Sequence, residues 1–155
     1  MKLREAIQAE MNDIFMMGFD AWSEDMTKES YLESCANSPK YKKGTWWLLE
    51  NNNSELLCSL IVYQFETSVF GIGSIATPVE LRGKGYASDL VNKVCTYLEQ
   101  TNQAKAIFLY SDIKPDFYEN LNFVKLKEEL QPYDSSICMI RSSISPDQIE
   151  TPRYF

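Results

Sequence analysis

Between Gly71 and Ala87 the chain reads Gly-Ile-Gly-Ser-Ile-Ala-Thr-Pro-Val-Glu-Leu-Arg-Gly-Lys-Gly-Tyr-Ala, an order that few folds accommodate. An apolar strand pattern running from Val69 to Thr77 is stopped by Pro78, which has no N–H to give to a ladder. Beyond the loop, Ala87, Leu90, Val91, Val94, Cys95 and Leu98 share one helical face, while Asp89, Asn92, Lys93 and Glu99 lie elsewhere. The segment is therefore strand, loop with two glycines and two cations, then helix. The first turn of a helix leaves backbone N–H groups unpaired and carries a partial positive charge, so several N–H groups can bind one phosphate there. Gly83 and Gly85 let the backbone curl closely around such a group, and a Cβ at Gly85 would face it. Arg82 and Lys84 add full charges. The same four residues, 82–85, also read as a charged surface turn that caps a helix, and the loop alone does not decide between the two.

The rest of the chain sets the context. Lys2 to Glu5 reads as a short strand, and residues 7–21 as one amphipathic helix carried by Ile7, Met11, Ile14, Phe15 and Gly18, with Trp22 just beyond. Thr27 is placed to cap a second helix that ends before Pro39. Trp46–Glu50 and Leu56–Phe65 pattern as a hairpin around Asn51-Asn52-Asn53-Ser54, followed by the strand at Val69. After the patterned helix come a buried strand over Ala104–Tyr110, a short helix opened by Pro115 and running to about Leu121, and strands over Phe123–Leu126 and Ile137–Arg141. Residues 142–155 show no usable periodicity; the aromatic pair Tyr154-Phe155 is expected either to pack on a neighbouring subunit or to be unstructured. Neither repeats nor a linker divide the 155 residues, which predicts one α/β domain over 1–155 with a mixed, mainly antiparallel sheet and helices on both faces.

Composition excludes several chemistries. There is no histidine, which removes Ser-His-Asp and Cys-His schemes and imidazole-bound zinc, and no metal site is expected. A net charge of -7 argues against nucleic-acid binding and suits a cationic partner such as an amine. Cys35, Cys58, Cys95 and Cys138 form no C-x-x-C pair and read as small buried hydrophobes. The charged start, MKLREAIQAE, is unlike a signal peptide, and no apolar run reaches membrane length, so a cytoplasmic protein without membrane attachment is expected. Gly71-x-Gly73-x-x-Ala76 has the form of a dinucleotide fingerprint, but Pro78 follows while the chain is still extended, so it cannot open a helix. No P-loop pattern is present.

Arg82-x-x-Gly85-x-Ala87, after a strand and ahead of a helix, resembles the Q/R-x-x-G-x-G/A motif of the GNAT superfamily of N-acetyltransferases. Asp116-Phe117-Tyr118-Glu119-Asn120-Leu121-Asn122-Phe123 is similar to a second segment of that family, F-Y-x-x-x-G-F, with Asn122 in place of the glycine. Asn tolerates the left-handed conformation that ends a helix better than most residues. The resemblance covers the element order from the first strand through Ile140.

That resemblance implies acetyl-CoA as co-substrate, a primary amine of a small molecule or peptide as acceptor, and direct transfer without an acyl-enzyme. It implies that Arg82, Gly83, Lys84, Gly85, Tyr86 and Ala87 hold the pyrophosphate. The main chain of Ile75, Ala76 and Thr77 would pair with the pantetheine arm like an added strand. Ser111 would lie near the coenzyme, and Tyr118 would be the general acid for the leaving thiolate, a phenol of pKa about 10 serving a thiol of about 8.5. The acceptor would meet Trp22, Asp25 and Met26, an aromatic face and a carboxylate suited to a cation. Trp22 reads equally as the end of the first helix's apolar stripe, and Tyr118 as a packing aromatic. Glu66, Glu80 and Asp25 are nearby carboxylates, none of them singled out as a base. A homodimer is compatible with the sequence, as is a non-catalytic acyl-CoA-binding domain.

Overall fold

The computed structural model describes residues 1–155. Seven strands form one mixed sheet in the order β1-β2-β3-β4-β5-β7-β6. They are β1 (Lys2–Glu5), β2 (Thr45–Glu50), β3 (Leu56–Glu66), β4 (Val69–Ala76), β5 (Ala106–Ser111), β6 (Val124–Lys125) and β7 (Ile137–Ser142). The helices are α1 (Met11–Met16), α2 (Phe19–Trp22), α3 (Lys28–Asn37), α4 (Pro39–Lys43), α5 (Tyr86–Thr101) and α6 (Asp116–Glu119). Contacts divide the chain into two units, residues 1–62 with 74–94, and residues 63–73 with 95–155.

In the first unit β1, β2 and the start of β3 are antiparallel, with Leu3 opposite Leu49 and Trp47 opposite Leu60. The hairpin turn is closed by Asn51, whose Oδ1 accepts from the N–H groups of Asn53 (2.9 Å) and Glu55 (3.0 Å). The single helix expected over 7–21 is instead a 3-10 turn at Gln8–Glu10, then α1, then α2. The break falls at Met17 and Gly18, where the Trp22 ring lies against the Gly18 backbone so closely that a Cβ there would stand 2.0 Å from its Cε3. Thr27 caps α3 as expected, accepting from Ser30 N–H at 3.2 Å. Pro39 does not merely follow α3 but opens α4, which Ser38 caps by accepting from Tyr41 N–H. Around these helices Phe15, Tyr31 and Cys35 are buried, with Phe19, Tyr41 and Trp46 packed against them, and Tyr31 donates its hydroxyl to the Phe15 carbonyl at 2.8 Å.

In the second unit β5 runs parallel to the start of β4 and antiparallel to β7, while β6 pairs β7. The core is Val69, Ala106, Phe108, Leu126, Cys138 and Ile140, with Tyr110, Leu130, Ile149 and Phe155 packed on it. The tail thus has a place of its own: Phe155 covers Gly71, where a Cβ would stand 2.5 Å from its ring, and it contacts the rings of Tyr63, Phe65 and Tyr110 at centroid distances of 5.5, 5.0 and 5.5 Å. Of the two expectations for Tyr154-Phe155, the absence of structure is replaced by packing within the same unit. Apolar area gained by Phe155 and the close approach that only glycine permits explain this.

Along α5, Leu90, Val91, Val94, Cys95 and Leu98 are all buried, as their spacing predicts. All four cysteines are free and buried. No helix is long and apolar enough to cross a membrane.

Candidate active site

The site is built from the end of β4 upward. The β4–β5 ladder covers only Val69–Gly71 against Ala106–Phe108, although β4 continues to Ala76 and β5 to Ser111. Within β4, Ser74 has φ 46, a left-handed residue inside a strand. Such a residue bends the strand it belongs to, at a cost of order 1–3 kcal/mol. Its hydroxyl reaches Tyr41 Oη at 3.5 Å.

Ile75 and Ala76 end the strand, half-buried, and Thr77 follows it, buried. Thr77 Oγ1 donates to Cys58 Sγ at 3.3 Å, which fixes its side chain inward. Pro78 leads into a 3-10 turn at Val79–Leu81.

The loop then turns left-handed twice, at Gly83 (φ 79) and Gly85 (φ 84), and α5 starts at Tyr86. These are the positions where a side chain is strained by roughly 1–2 kcal/mol. A Cβ added to either glycine would meet nothing within 4 Å, so what the glycines supply is conformation together with open space over the loop. The first helical bond back to the loop runs from Asp89 N–H to the Gly85 carbonyl at 3.1 Å. The N–H groups that precede it have no acceptor one helical turn back. Gly83, Lys84 and Gly85 are exposed, while Tyr86 and Ala87 are half-buried. An exposed, glycine-shaped mouth with spare N–H donors and the Lys84 ammonium fits a phosphate-bearing group.

Arg82 has a task that its sequence neighbours do not reveal. Its Nη1 and Nη2 donate to the two carboxylate oxygens of Asp20 at 2.7 and 2.8 Å, Nε donates to the Thr77 carbonyl at 2.9 Å, and Nη2 also reaches the Met17 carbonyl at 3.2 Å. The fork therefore ties the end of β4 and the glycine loop to the α1–α2 junction, and its charge is matched by Asp20. Hydrogen bonding to Arg82 holds the Asp20 carboxyl below its ordinary range, and the same contact raises the guanidinium. Lys84 is left as the loop's cation without a carboxylate in contact. Sequence reasoning missed Asp20, which lies 62 positions away and carries no local signal.

Trp22, Asp25 and Met26 come together on one turn, closed by Met26 N–H donating to the Ser23 carbonyl at 2.9 Å, with Glu24 at φ 52. Trp22 and Met26 are each 41% exposed although one face of Trp22 covers Gly18, so its ring both packs and faces solvent.

In the second unit Tyr118 is buried at the end of α6. The Phe123 N–H donates to its carbonyl at 3.1 Å and the Asn122 N–H to the Glu119 carbonyl at 3.2 Å, with Asn122 at φ 68. That is a Schellman ending with Asn in the glycine position, and the Tyr118 and Phe123 rings meet at 6.1 Å in the contact that goes with it. Ser111, also buried, donates its hydroxyl to the Ile113 carbonyl at 2.6 Å.

Burial raises every thiol: Cys58 and Cys138 to about 11 and Cys95 to about 12, with Cys35 shifted the same way. None is poised as a nucleophile at neutral pH. No group of His, Cys, Asp and Glu is arranged to hold a metal ion.

A strand that runs into a left-handed glycine loop and a helix N-terminus belongs to an α/β fold with a mixed sheet. Residues 2–125 match the Acetyltransferase (GNAT) domain, and the chain belongs to that family of acetyltransferases. No curated protein matches the sequence. Among solved structures, the fold is similar to a chimera of the spermidine N-acetyltransferase SpeG of Vibrio cholerae with hSSAT, at TM-score 0.71 and 14% identity over 92% of this chain and 96% of that one. A GNAT-family acetyltransferase of Staphylococcus aureus gives TM-score 0.65 and 16% identity over 91% and 98% of the two chains. An aminoglycoside 6'-N-acetyltransferase complexed with coenzyme A gives 0.66 and 15% over 94% and 98%. The mixed, mainly antiparallel sheet flanked by helices is the fold expected from the sequence.

Proposed function

We propose that the protein transfers an acetyl group from acetyl-CoA directly to a primary amine of a small molecule or peptide. One observation carries this reading: two left-handed glycines on either side of Lys84, Gly83 and Gly85, open onto free space at the start of α5. Bound acetyl-CoA would supply the activated acyl group.

The backbone N–H groups of residues 83–87 and the Lys84 ammonium hold the pyrophosphate. Arg82 contributes its main chain there, while its guanidinium, occupied by Asp20, keeps the loop in shape. The main chain of Ile75 and Ala76 aligns the pantetheine arm. Thr77 supports them, because its carbonyl is already engaged by Arg82. Tyr118 provides the proton for the departing thiolate, and Ser111 lies along the coenzyme. Trp22, Asp25 and Met26 face the amine.

Freeing the lone pair of an amine of pKa about 10.4 at neutral pH costs on the order of 4–5 kcal/mol. Holding two reactants in register offsets roughly 7–11 kcal/mol, so a dedicated base is not required. The raised, buried thiols favour direct transfer over an acyl-cysteine.

Thermal unfolding with and without acetyl-CoA, on the wild type and on Gly85→Glu, tests the site. Ligand at 100 times its Kd adds about 2.7 kcal/mol, which is several degrees for a chain of this size. A shift in the wild type that Gly85→Glu abolishes supports the reading, and no shift in the wild type overturns it. Tyr118→Phe should then lower kcat and keep the acetyl-CoA shift; unchanged turnover removes Tyr118 from the mechanism.

A further inference from the structure

A second concavity lies wholly in the second unit, just past the end of β5. It has a volume of about 310 Å³ and is lined by Asp112, Tyr133, Ser135, Ser136 and Tyr154. That is the small end of the range for ligand pockets, roughly 300–1,000 Å³, and suits a few heavy atoms rather than a nucleotide.

Its chemistry has one sign. Asp112 is an exposed carboxylate that takes part in none of the chain's ion pairs. No Lys or Arg lines the pocket. Two tyrosine rings, 6.5 Å apart and nearly perpendicular, form its aromatic wall. Ser136 is only 8% exposed, yet its hydroxyl has no hydrogen-bond partner. That oxygen is itself closed off from solvent, so it belongs to the wall behind the opening.

The walls are held in place. The Tyr154 N–H donates to Tyr133 Oη at 3.3 Å, and Tyr110 donates its hydroxyl to the Pro152 carbonyl, which straps residues 152–155 down. The Gln131 amide bridges the Leu126 and Cys138 carbonyls and accepts from Cys138 N–H at 2.8 Å, fixing the connection from β6 to β7 that carries Tyr133 and Ser136.

We infer that this tail-walled pocket binds the ammonium group of a small cationic amine. An ammonium brings three N–H donors and a full charge, and it rests well over aromatic faces. The exposed Asp112 carboxylate accepts those donors, and the rings of Tyr133 and Tyr154 line the pocket beside the charge. A neutral alcohol of the same shape offers one donor and no charge. The pocket's role as a subsite for the acceptor rests on the acetyltransferase reading; the binding itself does not.

The test is a titration of the full chain, followed by amide chemical shifts at constant ionic strength, with n-butylammonium, 1,4-diaminobutane and n-butanol as probes. The two ammonium compounds should give saturable shifts at Tyr133, Ser136 and Tyr154, and butanol none. Asp112→Asn should weaken ammonium binding roughly two- to fivefold. Tyr133→Leu is a second variant with the same expected direction. Acetyl-CoA binding, measured separately, should be unchanged in both and reports that they are folded. Equal response to butanol and butylammonium, or an Asp112→Asn affinity equal to wild type, overturns the site. If the wild type binds ammonium here but never acetyl-CoA, the pocket stands and the acetyltransferase reading falls. If it acetylates amines with KM indifferent to Asp112→Asn, the subsite role falls.

Discussion

The glycine loop at 82–87 and the aromatic tail at 149–155 hold their shapes by opposite means. The loop is written in adjacent residues: Pro78 ends the strand, Gly83 and Gly85 turn left-handed, and Tyr86 begins the helix. The tail has no pattern of its own. It is fixed by residues far away in sequence, Gly71 and Phe65 under Phe155, and Tyr110 on the Pro152 carbonyl. A local device is legible in a single sequence because its causes are neighbours. A packed tail is not, because its partners come together only after the sheet has formed.

The largest expected effect follows from that contrast. Phe155→Ala removes a ring that touches Tyr63, Phe65 and Tyr110. Full burial of Phe is worth about 3–5 kcal/mol against Ala, and Phe155 is only half-buried. A loss of about 2 kcal/mol is expected, near 4–8 °C in Tm for a chain of this length. A Tm within 1 °C of wild type, read as roughly a few tenths of a kcal/mol, would mean the tail rests on the unit without holding it.

Gly83→Ala is the matching change in the loop. The added methyl has open space, so only the left-handed φ resists it, at roughly 1–2 kcal/mol. Chemical denaturation should show that loss in the absence of any ligand. A neutral result would show that the loop relaxes to another conformation when empty.

The contrast is not complete, because Arg82 depends on a distant partner. Asp20→Asn should cost below about 1 kcal/mol at pH 7, since the pair is more than a third exposed. The sign with pH follows from the lowered Asp20 carboxyl. Its contribution is fully present above the unfolded value, about 3.9, and is lost as pH falls through the lower folded value. Wild type and Asp20→Asn should therefore converge in stability at acid pH and differ at neutral pH. A constant gap down to pH 2 would assign the effect to lost packing.

Much of the fold could be read in advance for the same reason that the loop could. The α5 stripe, the Thr27 cap and the hairpin at Asn51 are all short-range. The expected helix over 7–21 failed because Trp22 folding over Gly18 is a packing choice that apolar spacing does not encode. At the site, Gly83 and Gly85 were legible as a tight turn that opens a helix. The Arg82–Asp20 fork, the left-handed Ser74 and the pocket at Asp112 were not, since each depends on residues brought from elsewhere or on a bend inside a strand.

Asn122 gives the finest version of the comparison, a local device in the second unit. It occupies the left-handed C′ position after α6 at φ 68, where the sequence motif of the family has glycine. Asn already bears this conformation better than other residues with a side chain, so glycine can recover only part of the cost of about 1–2 kcal/mol. Glycine also gains freedom in the unfolded chain, which takes back roughly 0.4–1 kcal/mol. Asn122→Gly should thus change stability by no more than about 0.5 kcal/mol, whereas Asn122→Ala should lose about 1 kcal/mol. Denaturation of the three proteins orders them. If Ala equals Asn, the Schellman ending contributes nothing to stability, and the hold on Tyr118 must come from its ring contacts with Phe117 and Phe123.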